Sequence, residues 1–221
     1  MDKFLKLSLL LFYLIVFFSF CLGKLPPFNP FMLLDIIGEN SFSENSSSSG
    51  FTPALGILDT TFNSSGYFIQ DIASGGDFGL SLAIQSDGKI LLGGYCLAGS
   101  VKFCIGRFNS NGTLDSSFGT GGYFIQDIAS GDDYGYSLAI QSDGKILLGG
   151  YCYDASNKFC IARFNSNGSL DSSFGTGGYV IQDIASGDDY GRSLAIQSDG
   201  KILLGGYCYD ASDKFCIARF R

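Results

Sequence analysis

Ser137-Leu138-Ala139-Ile140-Gln141-Ser142-Asp143-Gly144-Lys145-Ile146-Leu147-Leu148-Gly149-Gly150-Tyr151-Cys152 is the stretch that decides the fold. Two apolar runs flank Asp143-Gly144, and Asp-Gly between such runs is a strong hairpin signal. The expected turn is type I′, which needs positive φ at both central positions. Ser137–Gln141 then reads as one strand and Lys145–Cys152 as the next. The second strand carries apolar residues on both faces, and such a strand has to be covered on both sides.

Outward from this hairpin, Lys158–Phe164 reads as a further strand, followed by an Asn-Gly turn at Asn167-Gly168. Upstream, Tyr123–Ile128 is a strand and Ala129–Gly135 a loop. No segment sustains a 3.6-residue apolar period, which argues against helix anywhere in the pattern. The whole pattern then repeats. Leu58-Asp59, Leu114-Asp115 and Leu170-Asp171 are spaced by 56 residues. Leu114–Phe164 and Leu170–Phe220 differ only at Phe124/Val180, Tyr136/Arg192 and Asn157/Asp213. A period of this order marks a solenoid, a propeller or an array. The units are 58–113, 114–169 and 170–221. Face-to-face stacking of four-stranded sheets covers strands that are apolar on both sides, and radial stacking makes a propeller. The expected fold class is all-β: three four-stranded antiparallel blades of propeller type, forming an open arc or part of an oligomeric ring.

Three segments carry a more specific likeness. Leu114-Asp115-Ser116-Ser117-Phe118-Gly119, Gln141-Ser142-Asp143-Gly144-Lys145-Ile146-Leu147-Leu148-Gly149-Gly150 and Ala162-Arg163-Phe164-Asn165 resemble the delta-60 repeat family of bacterial surface and secreted proteins. The resemblance recurs in all three copies and covers Leu58 to Phe220. It implies a β-propeller and brings no activity with it. The chain departs from the family in its cysteine pairs, and in having three copies where a closed ring needs more.

The first residues belong to a different regime. Lys3 and Lys6 precede an apolar run from Leu7 to Phe20, the form of a secretory signal, with cleavage expected after Gly23. Two other readings stay open: Cys21 as a lipoprotein acylation site, or an uncleaved anchor slightly short of the ~20 apolar residues of a spanning helix. All three place the mature chain outside the cytoplasm, secreted, periplasmic or on a cell surface, with a membrane tether at the N-terminus under two of them. Residues 24–57 follow as a tether, with Pro26, Pro27 and Pro30 and then the Ser- and Asn-rich tract Ser41–Gly50. Such a stretch buries too little apolar surface to offset its ordering entropy.

Composition removes whole classes of function. A net charge of −7 argues against nucleic acid, because neutralising phosphates takes clustered Lys and Arg. Histidine is absent, so the usual nucleophile–base pairs are missing. Glu occurs only at Glu39 and Glu44, in the tether. No cofactor motif is present, and zinc is disfavoured without His or a CxxC step. The chain therefore reads as a non-enzymatic module.

If Ser137–Gln141 is the innermost strand, the outermost strand of each blade comes from the next copy, as Tyr179–Ile184 does for the second. The last blade then lacks its outer strand, and Tyr67–Ile72 in the first copy has no inner strands before it. Rings use 4–8 blades, so three cannot close alone. Two readings remain: a homo-oligomer that pairs its end strands head to tail, or the open arc of a truncated product.

The side chains that could carry chemistry are few. Cys96/Cys104, Cys152/Cys160 and Cys208/Cys216 flank the turn between the third and fourth strands. A five-residue loop sets each pair directly opposite and able to bridge, and export favours oxidation. A four-residue loop sets them on opposite faces, as small buried hydrophobes. Arg107, Arg163 and Arg219 share one strand position, and Asp115, Asp127 or Asp171 are the expected partners for a repeated ion pair. Asn165–Asp171 has oxygen ligands at alternate positions but lacks an acidic first residue, and turn chemistry accounts for it. One rim gathers Asp77, Asp132, Asp133, Asp154, Asp188, Asp189, Asp210 and Asp213 with Tyr134, Tyr153, Tyr190 and Tyr209. Acidic and aromatic loops on a rigid scaffold suit a protein or carbohydrate ligand. Solvated loops of no function are the plainer reading.

Overall fold

The computed structural model describes residues 56–221. The signal segment, Cys21 and nearly all of the tether lie outside the described residues. The described chain is all β, in three antiparallel sheets. The first contains β1 (Asp77–Ile84), β2 (Ile90–Ala98), β3 (Ser100–Phe108) and β4 (Tyr123–Gln126), in that spatial order. The second contains β5 (Asp133–Ile140), β6 (Ile146–Asp154), β7 (Ser156–Phe164) and β8 (Tyr179–Gln182). The third has only β9 (Asp189–Ile196), β10 (Ile202–Tyr209) and β11 (Asp213–Phe220). The stagger expected from the sequence is therefore present: β4 and β8 come from the copy after the one that supplies the rest of their sheet.

Burial explains why the sheets stack. In the middle sheet Ile146, Leu147, Leu148 and Tyr151 of β6 are all buried. Alternation divides them: Ile146 and Leu148 pack into the layer shared with Leu91, Phe103 and Ile105 of the first sheet, and Leu147 into the layer shared with Leu194, Ile202 and Leu204 of the third. The middle sheet is thus one side of two cores. The outer sheets have no such cover on their far sides. Leu82 and Ile84 of β1 are exposed, and so are Phe215 and Ile217 of β11.

Three expectations need correction. The third blade has three strands among the described residues, as the stagger leaves it without its outer strand, but Tyr67–Ile72, read as a strand, is not one, because no ladder partner lies beside it. It is held instead by Phe68 packing edge-on against Phe108 at 4.9 Å and by the Ile72 N–H on the Asp77 carboxylate at 2.6 Å. The Asp-Gly turn is not type I′. Only Gly144 has positive φ (83°), the Gly144 N–H donates to the Gln141 carbonyl at 2.9 Å, and the Gln141 N–H donates to that of Lys145 at 2.8 Å. This is a type I turn closed by a glycine bulge, and the Asn167-Gly168 turn repeats it with Gly168 at 90°. The third correction is the hairpin between the cysteines. It is tighter than a four- or five-residue loop: Asp154 pairs with Ser156, leaving Ala155 alone at the tip with φ 63°.

Candidate binding rim

That tight hairpin sets the cysteine geometry. Cys152 stands opposite Lys158, and Cys160 opposite Gly150. The two cysteines are diagonal neighbours on one face, neither directly opposite nor on different faces. Their Cα atoms are 5.8 Å apart, as are those of Cys208 and Cys216, with 5.9 Å for Cys96 and Cys104. All three pairs are within bonding range.

The arginine clusters lie at the opposite edge. Arg107 Nε donates to Asp115 at 2.9 Å and Arg163 Nε to Asp171 at 2.8 Å. Each guanidinium also lies over a ring, Phe118 or Phe174, at 4.6 Å. Lys89 and Lys145 complete the clusters, at 3.3 and 3.0 Å from the same carboxylates. The Ser117 hydroxyl and N–H, with Arg107 and Lys89, hold the Asp115 carboxyl down at about 2, and Asp171 is lowered in the same way by Ser173, Lys145 and Arg163. Arg219 differs. It is exposed and has no carboxylate within ion-pair distance among the described residues. Asp127, the other suggested partner, pairs with Lys102 at 2.9 Å.

The rim forms where two loops run edge to edge. The Tyr153 N–H donates to the Asp132 carbonyl at 2.9 Å, and in the next blade the Tyr209 N–H donates to that of Asp188 at 2.8 Å. Its acidic residues do three different jobs. Asp133 and Asp189 are fully buried, each accepting the N–H groups that the chain frees on leaving the outer strand: Ile128 and Ala129 for one, Ile184 and Ala185 for the other, with shortest distances of 2.6 Å. Buried backbone donors need such acceptors. Burial pushes the Asp133 carboxyl up to about 6. Asp77, half-buried, does the same for Ile72. These three close their own loops and do not form an outward surface.

Asp132 and Asp188 instead tie blades together. They accept the N–H of Val101 at 3.0 Å and of Asn157 at 2.8 Å, each across a blade junction. Tyr134 and Tyr190 belong to a row of rings. Phe78 stacks on Tyr95, Tyr134 on Tyr151 and Tyr190 on Tyr207, while Tyr95–Tyr134 and Tyr151–Tyr190 meet edge-on between blades at 5.0 and 4.9 Å. The Arg192 guanidinium lies 4.2 Å from the Tyr136 ring centre and donates to the Tyr207 hydroxyl at 3.2 Å. The sequence reading missed this row, although a tyrosine after Gly-Gly in every copy signalled it.

What remains exposed is the hairpin tips. Tyr153 and Tyr209 are about half exposed (47% and 49%), with Leu97 in the same place on the first blade. Beside them Asp154 pairs with Lys158 at 3.4 Å and Asp210 with Lys214 at 2.8 Å. Asp213 is exposed nearby.

No curated protein matches the chain. A family model described as a domain of unknown function (DUF5122) beta-propeller matches residues 85–118, 141–174 and 197–221. Each match takes in the Asp-Gly hairpin and the two strands after it, and the first two run on through the Arg–Asp–Phe cluster. With one match per blade and three open antiparallel sheets, the chain belongs to this β-propeller repeat family.

Proposed function

We propose that the protein is an exported, non-catalytic binding module that takes a neutral carbohydrate on its hairpin tips. The observation that carries the reading is the repeated pair Tyr153/Asp154 and Tyr209/Asp210, with half-exposed rings beside carboxylates. An exposed tyrosine face packs against the C–H side of a sugar ring, and a neighbouring carboxylate accepts its hydroxyls. Lys158 and Lys214 offset the charge of both carboxylates, which favours a polyhydroxyl ligand over a cation. Export is supported by the signal-like first residues and by three cysteine pairs at bonding distance, an arrangement suited to oxidising compartments.

The test is retention on insoluble cellulose and chitin and on a glycan array. The full chain is expected to be retained on at least one of them, and Tyr153→Ala with Tyr209→Ala to lose that retention. Failure of the unaltered chain on every probe, or retention unchanged by the double substitution, would overturn the reading.

A further inference from the structure

The two junctions inside the chain show what fits against a blade, and each loose end carries one half of that fit. At the first junction Leu138 fills the space above Gly93, where a Cβ would meet it at 2.6 Å. At the second Leu194 fills the space above Gly149, where the distance would be 2.7 Å. One repeat further on, Gly205 has open space above it, its nearest heavy atom being 3.7 Å away. One repeat earlier, the matching knob Leu82 stands exposed. The polar contact runs in the same phase. The Leu138 N–H donates to Ser81 Oγ at 2.9 Å and the Leu194 N–H to Ser137 Oγ at 3.0 Å. That leaves Ser193 as an acceptor and the Leu82 N–H as a donor at opposite ends. The aromatic row also stops at both ends, with Phe78 half exposed and Tyr207 lacking the edge-on neighbour that Tyr95 and Tyr151 have.

From this we propose that a second copy of the chain covers both ends. β11 of one copy takes residues 67–70 of the other as its fourth strand, and Leu82 of that copy seats on Gly205. Register follows from the internal ladders. Phe159, Cys160, Ile161 and Ala162 face Gln182, Ile181, Val180 and Tyr179. Moved by one repeat, Phe215, Cys216, Ile217 and Ala218 face Gln70, Ile69, Phe68 and Tyr67. Of these residues, Phe215, Ile217, Tyr67 and Ile69 are exposed in the single chain, at 104%, 68%, 52% and 85%. The apolar cavity of about 340 Å³ beside Phe68, Leu82 and Cys104 is where the incoming blade lies. Two copies bring the blades formed by the described residues to six, inside the 4–8 range in which rings close, whereas the three described blades of one copy fall short of it. Gly76 stands where Asp132 and Asp188 tie the internal junctions, so the junction between copies lacks one tie and opens first on dilution.

Light scattering on the full chain, expressed in an oxidising host, tests this. The expected mass is that of two chains, falling to one on dilution. Gly205→Leu fills the open space, its Cβ meeting its own chain no closer than 3.7 Å, and it should give a one-chain mass with unchanged β-sheet circular dichroism. Ile217→Lys should do the same through the strand edge. A one-chain mass for the unaltered protein, a continuous series of larger masses, or a two-chain mass retained by both variants would overturn the proposal.

Discussion

Ala155 and Ala211 hold left-handed backbone angles, φ 63° and 60°, at the tips of their hairpins, where the first copy has Gly99 at 85°. Alanine resists this region by about 1–2 kcal/mol and glycine does not. After allowing for glycine's larger loss of freedom on folding, Ala155→Gly is expected to stabilise the protein by roughly 0.5–1 kcal/mol, read from the urea midpoint. Tip conformation was not legible in the sequence, since Tyr-Asp-Ala-Ser gives no turn signal, and the cysteine geometry was misjudged with it. The carboxylates oppose one another in pH dependence. Between about 4 and 6 the folded chain keeps on Asp133 a proton that the unfolded chain has released, so stability falls as pH rises through that window. Asp115 and Asp171 resist protonation in the fold, so their contribution is present above about 4 and is lost as pH drops through their lowered values. The denaturation midpoint should therefore peak near pH 4–5, and Asp133→Asn should flatten only the arm above the peak. An unchanged arm in that variant would count against the burial of Asp133.

At the level of single elements, a glycine in mid-strand is a socket. Gly149 receives Leu194 from the next blade, and a larger side chain there has nowhere to go. Gly149→Leu is expected to destabilise by about 1–3 kcal/mol through overpacking, measured by chemical denaturation. The sequence showed these Gly-Gly steps as breaks in an apolar strand. It did not show that the vacancy belongs to a leucine 45 residues later, because that pairing exists only once sheets stack. The disulfides are likewise a hairpin property. Replacing Cys152 and Cys160 with Ala should cost about 2–3 kcal/mol on the loop-closure estimate for so short a loop. Mass measured with and without reductant should show the hydrogens of three bridges; a mass that does not change would mean the pairs are not oxidised. Strand order and stagger were legible from apolar runs and turns, whereas Tyr67–Ile72 has a strand's sequence and lacks the partner that would make it one. Rim roles were not: Asp132 and Asp133 are adjacent in sequence, yet one ties two blades and the other is buried in its own loop.

On the scale of the whole molecule, the middle sheet is the only one of the three covered on both faces among the described residues, and its cover comes from its neighbours. The fold is therefore cooperative between sheets rather than within them, as in other stacked repeats. Residues 133–182, which span the middle sheet, should show no cooperative thermal transition when expressed alone, although the full chain does. A sharp two-state melt of that fragment by circular dichroism would contradict the account.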